Sequence, residues 1–232
     1  MEDWTDPEVA RKWDADNTSY NPMRLEQLDM LFSVLEDEYR QGSAVLDIGM
    51  GSGQVEEMLF KRVPGIRIVG TDFSEAMLAL AKARLEPYAD RYEVVRQDLR
   101  KAQEAELPKY DYSVAFSVQV IHNVAHEFKK EAFAFVYEAL MEGGLFLLLD
   151  RIRVSTPSLF GAYGSMWDRL GSHVGAYHRE GNTFEEHEVS VSRRGDLPAT
   201  LEEHLDWLRE AGFSEVAVLS LYGNRALFAA RK

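Results

Sequence analysis

The segment Val45-Leu46-Asp47-Ile48-Gly49-Met50-Gly51-Ser52-Gly53 sets an acid just ahead of a G-x-G-x-G bend. Glycines where a strand turns into a helix let the backbone approach a ligand closely. The N–H groups at the start of that helix are oriented to meet a carboxylate. Asp72 closes the run Ile68-Val69-Gly70-Thr71-Asp72, near the offset of about twenty residues at which an acid meets a ribose in such sheets. A carboxylate there can accept from both ribose hydroxyls. Asp98 follows Val94-Val95-Arg96-Gln97 and is placed to accept from an adenine amino group, with Leu99 against the ring. One such acid reads equally well as a helix cap or a solvated strand end. Acids ending three successive strands, on the edge where such sheets bind ligands, point to one nucleoside-shaped crevice.

Gln54 stands where a dinucleotide fingerprint needs its third glycine, which argues against a nicotinamide cofactor. His122 follows the fourth apolar run on the same edge and is a candidate acid, base or orienting group; a purely structural role in its loop is the competing expectation. Trp13 and Tyr20 are candidates to fold over the ligand or to pack a helix. His173, His178 and His187 lie near Glu185, Glu186 and Glu188, but their spacing matches no helix-borne zinc motif, and no metal is expected. Tyr163, Trp167 and Tyr177 are expected to line a second pocket or to pack a cap.

The elements that must carry these residues alternate. Asn21-Pro22 reads as a cap and first turn for a helix through Leu25, Leu28, Leu31, Phe32 and Leu35. Strands are predicted at 44–48, 66–70, 92–96, 112–118 and 145–149, with helices between them and Gly143-Gly144 ending the last. Strands separated by helical stretches imply a doubly wound α/β sheet. Ser74 is expected to cap an alanine-rich helix, and Thr200 with Glu203 forms a capping box before a helix closed by Gly212. Val216–Tyr222 and Arg225–Ala230 are joined by Gly223-Asn224 alone, so the sheet should finish in an antiparallel hairpin. The stretch 151–199 breaks the alternation and is expected to be an inserted cap, helical around Leu159–Leu170. A single domain follows, with an N-terminal helical cap at 1–42, a cofactor-binding half at 43–150, a substrate cap at 151–199 and a helix plus hairpin at 200–232.

The 232 residues hold no cysteine, so disulfides, thiolate metal sites and cysteine nucleophiles are excluded. That suits a reducing cytosol, and the N-terminal stretch lacks the pattern of a signal peptide. A net charge of −13 opposes a long polyanion, although Arg151, Arg153, Arg193 and Arg194 fall in one region.

From Ala44 onward the sequence resembles the class I S-adenosylmethionine-dependent methyltransferases. Val45–Gly53 resembles that family's first motif, Gly70-Thr71-Asp72-Phe73-Ser74 its second and Gln97-Asp98-Leu99 its third. Tyr110–Ser117 resembles the fourth, and Ala139–Gly144 the turn before the fifth strand. The plan from Arg151 to Phe213 is similar to small bacterial and archaeal methyltransferases near carboxy-S-adenosylmethionine synthase. The resemblance implies a seven-stranded Rossmann-like sheet with an antiparallel last strand and a helical cap. It implies S-adenosyl-L-methionine as cofactor, held by Asp47, Gly49, Gly51, Ser52, Gly53, Asp72, Phe73, Met77, Asp98, Leu99, Ser117 and Tyr20, with His122 catalytic. A small-molecule methyl acceptor is expected, with no nucleic acid or membrane partner, in a cytoplasmic monomer or homodimer.

Overall fold

The computed structural model describes residues 3–21, 23–174 and 181–232. Two helices, α1 (Pro7–Tyr20) and α2 (Arg24–Glu38), precede the first strand. Then β1 (Ala44–Ile48), α3 (Gln54–Arg62), β2 (Ile68–Asp72), α4 (Glu75–Arg84), β3 (Tyr92–Arg96), β4 (Tyr112–Val118), α5 (His126–Ala139) and β5 (Leu140–Arg151) alternate as expected. The cap contributes α6 (Phe160–Val174) and α7 (Phe184–Arg194), and the chain closes with α8 (Leu201–Glu210), β6 (Glu215–Tyr222) and β7 (Arg225–Arg231).

The strands form one seven-stranded sheet in the order β3-β2-β1-β4-β5-β7-β6. Pairing is parallel from β3 through β5, while β7 runs antiparallel to both β5 and β6. The order reverses beside β1, so the carboxyl ends of β1 and β4 diverge to leave the crevice in which such sheets hold ligands. Alternate residues of β1 serve opposite faces. Val45 packs with Leu28, Leu31, Leu35 and Leu59, whereas Leu46 and Ile48 pack with Phe133, Val136, Leu208 and Phe228. With both faces covered, β1 and β4 are buried along their whole length.

Several elements depart from the sequence reading. Pro22 lies outside the described residues, and Asn21 closes α1 rather than opening α2, whose N-cap is Met23. Its side chain instead donates to Gln27 Oε1 at 2.8 Å. Strand β2 runs two residues later than expected, which makes Asp72 its last residue. Gly143 and Gly144 lie inside β5, not before it: Gly143 takes a φ of 69°, and the ladder with β4 shifts register there. A left-handed glycine absorbs the extra residues as a bulge, so the strand starts directly from the end of α5. Helix α7 was not expected, yet Thr183 caps it by accepting from Glu186 N and Gly195 ends it at a φ of 82°.

Candidate active site

A cavity of about 700 Å³ opens at the carboxyl ends of the strands. Its wall includes Asp47, Gly49, Gly51, Ser52, Asp72, Phe73, Met77, Asp98, Leu99 and His122, brought from four strand ends to one space. Gly49 must be glycine: its φ is 84°, and a Cβ would meet Val120 Cγ2 at 2.4 Å. Gly51, at a φ of 56°, faces open space with nothing within 4 Å of a built Cβ, which is the room a ligand backbone approach needs.

Four amides of the bend are already engaged within the protein. Gly49 N and Met50 N both donate to Thr71 O, Gly53 N donates to Met50 O, and Gly51 N donates to Asp72 Oδ2 at 2.9 Å. Asp72 also accepts from Ser74 N at 2.9 Å. Burial holds the Asp72 carboxyl above the usual range against these hydrogen bonds. Asp98 is held the other way: the Arg100 guanidinium forks onto both its oxygens at 2.5–3.0 Å and keeps it below that range.

Asp47 is 2% exposed, and behind it Glu56 of α3 is wholly buried. No N–H or hydroxyl reaches Asp47 Oδ1 or either Glu56 oxygen among the described residues. Burial, then mutual repulsion, raises the Asp47 carboxyl well above its ordinary range, and burial raises Glu56.

Two proposed contact residues lie elsewhere. Ser117 is fully buried and donates to Ile48 O at 2.8 Å, tying β4 to β1 beneath the cavity. Gly53 is the left-handed N-cap of α3, where a Cβ would meet Leu85 Cδ1 at 3.0 Å, so it serves helix packing. The side chains of Tyr20, Tyr177 and His178 lie outside the described residues. Trp13 lines the cavity, held by its neighbour Asp14, which accepts from Ser52 Oγ, from Gln54 Nε2 at 2.6 Å and from Arg84. Tyr163 and Trp167 pack the cap with Phe160, and His187 stacks on Trp167 at 5.7 Å. Among the described residues no acid and histidine cluster can hold a metal.

His122 sits in a single 3-10 turn after β4, and its position depends on a residue the sequence did not single out. Asp150, fully buried near the end of β5, accepts from the His122 backbone N–H at 2.8 Å and faces Nδ1 at 2.6 Å. Burial pushes the Asp150 carboxyl up, but the His122 ring and the Lys129 ammonium outweigh it and leave it below its ordinary range. Lys129, also fully buried, donates to Ile121 O and is drawn down to about 8 by burial. An acid ending an apolar strand was the available signal for Asp150, the same signal that marks Asp72. The cap closes this end, with Leu197 N donating to His122 O at 2.6 Å and Arg151 paired with Asp196.

Residues 45–144, which hold the bend and all three strand-end acids, match the methyltransferase domain family. The chain thus carries a methyltransferase domain, and it is similar to the class I S-adenosylmethionine-dependent methyltransferases. That domain is the mark of an S-adenosylmethionine-dependent enzyme. The chain is 22% identical over 236 residues to the carboxy-S-adenosyl-L-methionine synthase of Nautilia profundicola, covering 98% of this chain and 93% of that protein. The same synthase from Chromohalobacter salexigens is 28% identical over 218 residues, covering 88% and 74%. Among solved structures, an O-methyltransferase family protein from Burkholderia thailandensis superposes with a TM-score of 0.65 at 16% identity. The phosphoethanolamine N-methyltransferase 2 of Haemonchus contortus does so at 0.66 and 19%. Those superpositions take in 99% and 88% of this chain but only 61% and 52% of the solved chains.

Proposed function

We propose that this enzyme transfers the methyl group of S-adenosylmethionine to a small-molecule acceptor, with His122 as the base. The observation that carries the reading is one cavity with a nucleoside-shaped end (Gly51, Asp72, Phe73, Asp98, Leu99) and, in the same wall, a histidine backed by a buried aspartate. The open space over Gly51 and the unmet oxygen of Asp47 fit a cofactor with a sugar and an amine. Bound there, S-adenosylmethionine supplies an electrophilic methyl on a sulfonium.

The chain's part is positioning. Asp72 and Asp98 orient the ribose and adenine, with Phe73, Met77 and Leu99 against the ring. Trp13 and the cap exclude water, so that nucleophile and methyl stay in line. Asp150 holds His122 through Nδ1, which leaves Nε2 to take the acceptor's proton. The cap segment at 151–199 shapes the acceptor side. A net charge of −13 favours a small acceptor over a nucleic acid.

Calorimetry tests the donor: S-adenosylmethionine and its demethylated product should bind at micromolar strength, and NAD not at all. Asp72→Ala should weaken both by about tenfold or more, since charged hydrogen bonds are lost. A screen of small acceptors and RNA with radiolabelled donor tests the acceptor. With the hit in hand, His122→Ala should lower turnover by about 10²-fold or more while leaving donor binding unchanged. Full turnover in that variant removes His122 as base.

A further inference from the structure

Lys129 of α5 is fully buried behind the turn that carries His122. Its one hydrogen bond among the described residues goes to Ile121 O. The N–H of the same peptide, that of His122, donates to Asp150 Oδ2 at 2.8 Å. A single peptide unit is thus held at its oxygen by an ammonium and at its N–H by a carboxylate. The ring that hangs from it returns to the same carboxylate, Nδ1 facing Oδ1 at 2.6 Å, where the Arg151 N–H also donates. A wholly buried carboxylate needs a counter-charge, and the other groups facing this one are engaged elsewhere. His204 of α8 turns Nδ1 to Thr200 O at 2.8 Å, and burial draws it down, so it stands neutral. Glu203 of α8, with His126 of α5 acting on it, is spent on the Thr200 cap. Asp196 of the cap segment is paired with Arg151. Asp150 and Lys129 remain as opposite charges, each acting on the other.

We propose that Lys129 is a positioning residue for methyl transfer: it supplies the counter-charge of Asp150 in place of an imidazolium and fixes the peptide that aims His122. The inference rests on His122 as base and deepens that reading. A histidine paired with a buried carboxylate alone favours the proton-bearing ring, which cannot take a proton from an acceptor. A cation behind the carboxylate removes that preference without touching the ring. His122 then meets the acceptor neutral, with Nδ1–H on Asp150 and the Nε2 lone pair left for the acceptor's proton. Burial draws the Lys129 ammonium down to about 8, and Asp150 is the largest of the charges that hold it up. The counter-charge is therefore in place at neutral pH and fades as pH rises past about 8.

Nitrogen-15 NMR of the His122 ring in the ligand-free protein tests this without an acceptor. Lys129→Gln keeps a donor for Ile121 O and drops the charge. Proton uptake by the His122–Asp150 dyad should then move to higher pH by about one unit, the scale of two charges several ångströms apart in a protein. Lys129→Met removes the donor as well. It should move the uptake as far and also speed deuterium exchange of the His122 amide by about tenfold or more. Acceptor turnover in Lys129→Gln should show the same displacement in the acid limb of its pH profile, with S-adenosylhomocysteine affinity unchanged. Where neither variant folds, the wild type decides: its His122 ring signals should shift a second time near pH 8, as Lys129 gives up its proton. Unmoved proton uptake in folded Lys129→Gln, or no second shift in the wild type, overturns the role of Lys129 and leaves His122 as base standing. Full turnover in His122→Ala is the distinct result that overturns the base itself.

Discussion

Glu56 is an acid with no exposure, no hydrogen-bond partner on either oxygen among the described residues, and another carboxyl beside it. Its folded pKa lies above the ordinary 4.5, so the folded state holds more protons than the unfolded one. The stability linked to that proton is complete below the unfolded value and is lost as pH rises through the folded one. Glu56→Gln should therefore raise the melting temperature near neutral pH, and the gain should shrink as pH falls toward about 4. Scanning calorimetry across that range checks it; a gain that grew in acid would contradict the burial argument. Gly49→Ala is the opposite case. A Cβ set 2.4 Å from Val120, on a backbone at a φ of 84°, should cost about 3 kcal/mol in urea unfolding and distort the bend.

At the level of elements, the sheet was readable because its signals are local. Apolar runs, the Ser74 cap, the Thr200 and Glu203 capping box and the Gly223-Asn224 turn each act within a few residues. The three strand-end acids were readable for the same reason. Helix α7 carried a comparable signal, with Thr183 three residues before Glu186, acids in the first turn, arginines in the last and Gly195 beyond. It was hidden by the mixed character of the surrounding cap. Arg24 and Glu56 could not be read, since a charged residue on an amphipathic helix normally faces water. In the fold, Arg24 of α2 is buried beside Trp13 of α1, and Glu56 of α3 is buried beside Asp47 of β1. Ser117 occupies a motif position, and its hydroxyl is engaged with β1.

In the whole molecule, two large apolar clusters cover the two faces of the sheet, while the cap keeps a separate, smaller one of Val154, Phe160, Trp167 and Leu170. A part with few buried contacts opens at lower free energy than the core it rests on. Backbone amides of α6 should thus exchange with deuterium well before those of β1 and β4, and mass spectrometry after brief labelling reads the difference. Equal protection would mean that cap and sheet unfold together.

Asp14 bolts α1 to Ser52, Gln54 and Arg84, directly beside the aromatic wall at Trp13. If spent cofactor leaves past that bolt, egress and not bond-making would set the tempo of repeated cycles. Asp14→Ala should then release S-adenosylhomocysteine several times faster, about fivefold by the strength of one partly buried ion pair, as stopped-flow tryptophan emission would record.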